Sequence, residues 1–339
     1  MSQTRAVTAD PASPIGSFWR RATIGRASWI PVLAAVAILI VMLAVGQWYF
    51  GRFVTPRLLS SLLVDNAYLV VLAAGMTYVI LTGGIDLSVG AVMAFTGMLS
   101  AKLLSIGVPA AVVIPVMIIA GAAFGLIIGV MVYYFDVQPF IASLAGMFLA
   151  RGLCFVVSLE AIQVKDTFVL GLQSTKLGAA DWYITPTGII ALVLVAIAAW
   201  VLGYTRFGRT VYAIGGSEQS ARLMGLPVAR TKVLVYVISG ICAGIAGLVF
   251  TSYTAAGYSL NGIGTELDTI AAVVIGGTLL TGGSGYLVGS LVGVLVYGVI
   301  KVAITFLGAD ASWTRITIGI LLLAFVVVQR VIVTRSNRR

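Results

Sequence analysis

The sequence has no histidine among its 339 residues, which excludes imidazole acid–base catalysis and histidine metal ligation. Its two cysteines, Cys154 and Cys242, both sit inside apolar runs, so neither a disulfide framework nor a cysteine metal site is expected. Charge is scarce as well: Asp, Glu, Lys and Arg make up 9% of the chain, against about 25% in a soluble domain. No Gly-Lys pair occurs anywhere, so there is no GxxxxGK[ST] loop to cradle phosphates, and the chain cannot hydrolyse ATP itself. The run GSGYLVG from Gly283 is not GxGxxG and follows no strand, which rejects a dinucleotide fingerprint. Serine nucleophile elbows and HExxH helices are missing too. Neither an enzyme nor a cofactor or metal protein is expected.

What the chain has in abundance is apolar sequence, 60% of residues with a mean hydropathy of +1.10. That composition predicts an all-α polytopic membrane protein with about ten spans of about 20 residues. The net charge of +10 could suggest nucleic acid, but basic residues accumulate in the cytoplasmic loops of inner-membrane proteins, and no nucleic-acid partner is expected. Residues 1–28 read as a cytoplasmic tail, 29–332 as one transmembrane domain in contact with lipid, and 333–339 as a second cytoplasmic tail. Placing both tails, Arg330 at the end of the last span and the loop 204–232 inside puts 13 of the 21 Lys and Arg there, the positive-inside pattern of a bacterial inner-membrane protein.

The spans are expected at about Trp29–Phe50, Leu62–Leu81, Asp86–Leu104, Pro109–Tyr134, Pro139–Val157, Pro186–Gly203, Val233–Tyr253, Glu266–Leu280, a ninth ending at Phe306, and Arg315–Val331. Gly51–Ser61 and Thr254–Glu266 are expected as outer loops, and Ser158–Thr185 as the longest polar outer connection, a plausible docking surface. Gly121, Gly125 and Gly129 repeat at i+4, as do Gly285, Gly289 and Gly293, and such stripes let helices approach backbone to backbone.

The chain is organised around Leu81–Gly90, LTGGIDLSVG, a Gly-rich break between apolar runs that carries a lone carboxylate. Irregular backbone and a charge are tolerated in a membrane only against protein or a water-filled space. Asp86 is therefore either an N-cap or part of a gate. The phrasing returns as LTGGSGYLVG at Leu280–Gly289, offset by 199 residues, which suits a transporter built by internal duplication or reflects Gly-rich composition. Asp65 and Asn66 head the second span, and Glu266 and Asp268 the eighth, each as capping chemistry or as lining of a pathway. Arg151 either snorkels outward or pairs with a carboxylate such as Asp86. In the loop 204–232, Ser217 as N-cap, Glu218 in the first turn, and Gly225 with Pro227 as stop predict a short helix over Glu218–Leu226.

At these residues the chain resembles the membrane-spanning permeases of bacterial ABC importers for monosaccharides, the ribose, xylose and galactose group. The resemblance rests on GGIDLSVG, on YAIGG at Tyr212–Gly216, on LMGL at Leu223–Leu226 and on ELDTIAAVVIGGTLLTGGSG at Glu266–Gly285. It covers roughly Val54–Arg330 and, more narrowly, points to one of the two permease subunits of the galactofuranose importer. It implies a cytoplasmic ATPase subunit, a periplasmic sugar-binding protein, and a second permease subunit. It also implies that the helix carrying Ser217, Glu218, Arg222, Leu223, Met224 and Gly225 couples to the ATPase. The alternative from a different class is a stand-alone secondary transporter driven by protons or sodium through Asp86 and Glu266, since broken helices and isolated carboxylates are its hallmarks too.

Overall fold

The computed structural model describes residues 29–337 except 180 and 311; the expected tail Met1–Ser28 and the last two residues of the other tail lie outside the described residues. Helix α1 (Ile30–Phe50) has Pro31 in its first turn, where a missing N–H costs nothing. Helix α2 (Pro56–Val64) starts on a Thr55 cap, so half of the expected outer loop Gly51–Ser61 is helical. It bends by 52° at Asp65–Asn66 into α3 (Ala67–Leu81). Every residue of α3 is buried, which is the fate of a helix apolar on all faces. Then come α4 (Val89–Ser105), α5 (Ala110–Tyr134, with Pro115 inside) and α6 (Pro139–Val157).

The connection 158–185 is structured. It holds β1 (Ile162–Gln163), α7 (Thr167–Ser174, capped by Asp166), and a hairpin of β2 (Leu177–Ala179) and β3 (Trp182–Ile184). Helix α8 (Pro186–Tyr204) leads to two helices inside the loop 204–232, α9 (Arg206–Gly216) and α10 (Glu218–Leu223). The chain closes with α11 (Val228–Thr254), β4 (Ala256–Gly257), α12 (Thr265–Ile275), α13 (Leu287–Phe306) and α14 (Ser312–Asn337). The last helix runs through most of the segment expected as a tail.

Among the described residues six helices, α1, α5, α6, α8, α11 and α13, are long and apolar enough to cross a membrane, and the bent pair α2–α3 makes a seventh. The expected eighth span is corrected: α12 has 11 residues, about 17 Å at 1.5 Å per residue, too short for a hydrocarbon core of about 30 Å. The segment expected as an outer loop, Thr254–Glu266, turns back beside α4. Ala255, Gly262 and Gly264 adopt positive φ there, and an added Cβ at Gly257 or Gly262 would press on Met98 or Met93. Strand β4 pairs with β1, tying this returning segment to the 158–185 connection.

Glycine stripes set the core. A Cβ at Gly121 would fall on the Gly240 carbonyl, at Gly125 on Tyr236, and at Gly244 on Met117, so α5 and α11 touch backbone to backbone. In the later stripe Gly289 and Gly293 lie against Gly276 and Ala272 of α12, whereas Gly285 precedes α13 and faces Thr278.

Candidate functional site

Both Gly-rich breaks begin in the same way. Helix α3 ends where Gly83 takes φ +79, with Gly83 N donating to Ile80 O and Gly84 N to Val79 O. Helix α12 ends where Gly277 takes φ +93, with Gly277 N donating to Val274 O and Thr278 N to Val273 O. These are Schellman stops, and the left-handed residue favours glycine. The two breaks then meet. Gly283 N donates to Leu81 O at 2.9 Å, and Gly282, also at positive φ (+85), lies against Gly83, its counterpart in the repeat.

The meeting point is held from a third side by α9. Gly215 is wedged so that a Cβ would strike Leu81 O and the Gly283 backbone, and the Tyr212 hydroxyl donates to Gly285 O at 2.8 Å. Helix α9 is amphipathic, with Phe207, Val211 and Ile214 recurring on one face, and Thr205 caps it by accepting from Gly208 N. A continuous chain of contacts therefore runs from α10 through α9 to both broken segments.

Helix α10 is short but well bounded. Ser217 Oγ accepts from Ser220 N at 3.2 Å; Gly225 at φ +73 closes a Schellman stop, with Leu226 N donating to Ala221 O at 3.1 Å. Ala221 is buried against Ile214 and Val228, with Leu226 turned inward beside them, so Leu226 is not part of the outer surface. Leu223 and Met224 are 83% and 66% exposed, unusual for two adjacent large apolar side chains. Glu218 is tied twice, to Arg222 Nη2 and to Lys232 Nζ, each at 2.6 Å. Burial opposes its ionisation, but the hydrogen bonds from Lys232 and Arg222 outweigh that and hold its carboxyl below the ordinary value. Arg222 also lies over the Tyr133 ring, 5.4 Å from its centroid, at the edge of the Phe135–Gln138 connection.

Asp86 is buried just ahead of α4. Its Oδ1 accepts from Ser88 N at 2.9 Å and Ser88 Oγ at 2.6 Å, and its Oδ2 accepts from Ser239 Oγ at 2.8 Å. Ser239 lies roughly 17 Å along α11 from its start, so this carboxylate is deep in the protein. This geometry cross-links the turn ahead of α4 to α11, while the N-cap position of α4 is held by Ser88 without a side-chain bond. Asp86→Ala would leave three buried donors unpaired, at about 1–3 kcal/mol for each group left unsatisfied, whereas Asp86→Asn keeps an acceptor for Ser88. Thermal unfolding in detergent is expected to rank parent, Asn and then Ala in falling stability; an Ala variant that melts with the parent would remove Asp86 as an organiser of this junction.

The structure brings the other candidates into two groups on either side of the α12 start. Asp65 and Asn66 occupy the α2–α3 bend; the Asn66 amide donates to Leu62 O at 2.8 Å, and its buried Oδ1 has no partner among the described residues. Beside them Asp268 accepts from the Tyr297 hydroxyl at 3.0 Å, and the rings of Tyr68, Phe250 and Tyr253 cluster within 6.4 Å of one another. Lys301 is within electrostatic reach of Asp65 and Asp268 without an ion pair. The second group is Arg151, which neither snorkels nor meets Asp86: it donates to Ser259 O at 3.2 Å and Asn261 O at 2.5 Å, with Glu266 as its neighbouring carboxylate. Glu266 Oε2 lies against Gly90. The start of α12 lies beside α4, and Glu266 and Asp268 are both half-buried there.

Sequence reasoning missed α9 and the aromatic and hydroxyl partners Tyr68, Ser239 and Tyr297. The apolar repeat Phe207, Val211, Ile214 was a signal for α9; nothing local marks the others, because their partners are more than 25 residues away. No group of His, Cys, Asp and Glu among the described residues could hold a metal ion.

A family model described as branched-chain amino acid transport system / permease component matches residues 58–326. The fructose import permease protein FruG of Bifidobacterium longum is 45% identical over 310 residues, 89% of this chain and 91% of that protein. The inner membrane ABC transporter permease protein YjfF of Escherichia coli K12 is 41% identical over 309 residues, 89% and 92% of the two chains. The ribose import permease protein RbsC of the same organism is 36% identical over 308 residues, 89% and 94%. No solved structure matches the chain.

Proposed function

The chain belongs to the branched-chain amino acid transport system / permease component family, in the group that contains the sugar-import permeases, and from that membership we propose that it moves a monosaccharide inward across a bacterial inner membrane as one subunit of an ABC importer. Such permeases are not enzymes; ATP is hydrolysed in a separate subunit. A cytoplasmic ATPase is the partner at α10, a periplasmic binding protein delivers the sugar, and a second permease, a related chain or another copy, completes the pathway. Both termini are cytoplasmic on the positive-inside distribution.

The observation that carries this reading is the linkage of a short capped helix with two exposed apolar side chains to both broken segments. A permease moved by an external motor needs such a part. A stand-alone proton- or sodium-coupled carrier does not.

The substrate is a neutral monosaccharide: galactofuranose on the narrower sequence resemblance, with fructose and ribose suggested by the names of the similar permeases. Carboxylate, amide and phenol oxygens beside aromatic faces suit a polyol, and Asp65, Asn66, Tyr68, Asp268 and Tyr297 offer that set. The test is binding of a sugar panel by the cognate secreted protein. Tight binding of one neutral sugar is expected; tight binding of an amino acid or a metal chelate with no sugar bound would end this assignment.

A further inference from the structure

The loop 204–232 contains a second feature, apart from the exposed side chains of Leu223 and Met224. A cavity of about 770 Å³ opens between α9 and the foot of α11. Its polar lining includes three guanidinium groups, Arg206, Arg209 and Arg230, and its apolar wall includes Phe207, Leu226 and Leu234. None of the three arginines has a carboxylate within ion-pair distance among the described residues; the nearby acid, Glu218, is taken by Arg222 and Lys232. All three arginines are exposed and line one cavity without a counter-ion, so an anion there would be attracted by all three.

The level of the cavity identifies the source of the anion. It lies where α8 ends and α11 begins, two apolar helices long enough to span. The exposed rings of Trp200 and Tyr204 stand in the last turns of α8, and such aromatic residues sit at the headgroup level of a bilayer. Arg206 follows Tyr204 by two residues. Guanidinium groups bind phosphate oxygens in bidentate fashion, and basic pockets between membrane helices on the cytoplasmic side take acidic lipid headgroups. The apolar wall suits the glycerol and first methylenes of an acyl chain, which a free anion would leave uncovered.

We propose that this cavity is a binding site for an anionic glycerophospholipid, whose phosphodiester is held by Arg206, Arg209 and Arg230. The lipid bridges α9 to α11 and so steadies the helix that touches both breaks.

The probe is phosphatidylglycerol, compared with phosphatidylcholine, retained by the full-length purified chain in native mass spectrometry. The parent is expected to retain phosphatidylglycerol preferentially, and the triple variant R206Q/R209Q/R230Q to lose at least tenfold of that preference with its helical circular dichroism unchanged. Equal retention by parent and variant overturns the site. Displacement by inorganic phosphate at matched concentration overturns the lipid source and leaves a free-anion site. Should the triple variant fail to fold, a photoactivatable phosphatidylglycerol applied to the unaltered chain decides: cross-links are expected within residues 206–210 and 226–234, and labelling confined to other helices refutes the proposal.

Discussion

Replacing Leu223 and Met224 together with aspartate is expected to abolish association with the partner ATPase and, with it, uptake. The two side chains project from a helix of six residues, and a helix that short is marginal in water unless it docks. Burying a Leu or Met side chain contributes about 1.5–3 kcal/mol, so losing both forfeits about 3–6 kcal/mol, at least about a hundredfold in affinity. The aspartates add the cost of burying unpaired charge. Neither side chain supports the fold, which at this point rests on Ala221, Ile214 and Val228, so the spans and the binding-protein surface are expected to survive. Co-purification with the ATPase checks this. If association and uptake persist unchanged, the docking surface lies elsewhere, with the Phe135–Gln138 connection next in line.

Gly215→Ala is expected to have the complementary phenotype, an assembled complex that does not transport. The added methyl would meet Leu81 O and the Gly283 backbone, and backbone atoms cannot rotate aside as a side chain does. Forcing extra volume into such a contact costs about 1–3 kcal/mol. Here that cost falls on the junction where α9 touches both breaks. Uptake is expected to fall at least tenfold while the ATPase stays bound through α10, and stimulation of ATP hydrolysis by the loaded binding protein should be lost. Tyr212→Phe, which removes one hydroxyl-to-carbonyl bond worth about 0.5–1.5 kcal/mol, should give a milder defect in the same direction. Normal transport by Gly215→Ala would mean that force reaches the spans by another route.

The parts of this fold legible in the sequence are those decided by local chemistry. The long apolar helices, the Ser217 cap and Gly225 stop of α10, the two Gly-rich breaks and the α5 glycine stripe all follow from residues close together in the chain. What was not legible depends on partners far apart in sequence. Thr254–Glu266 reads as a polar outer loop because glycine and hydroxyl residues end spans, yet the same small residues let the segment lie on α4, which turns the expected eighth span into a half-helix. Asp65 and Asn66 read as the head of a span, whereas the helix begins earlier, on the Thr55 cap, and bends there. Arg151 was given two possible roles, and the returning loop supplied a third through the carbonyls of Ser259 and Asn261. That the two LTGG breaks touch each other is a tertiary fact, and no spacing along the chain encodes it.

The measurement that tests the central claim most directly is uptake of labelled sugar into proteoliposomes containing this permease with its partner permease and ATPase. The account predicts uptake that requires ATP on the ATPase side and the loaded binding protein on the other, and that is insensitive to collapse of proton and sodium gradients. Uptake by the permease alone, driven by an imposed proton or sodium gradient without ATP, would contradict it.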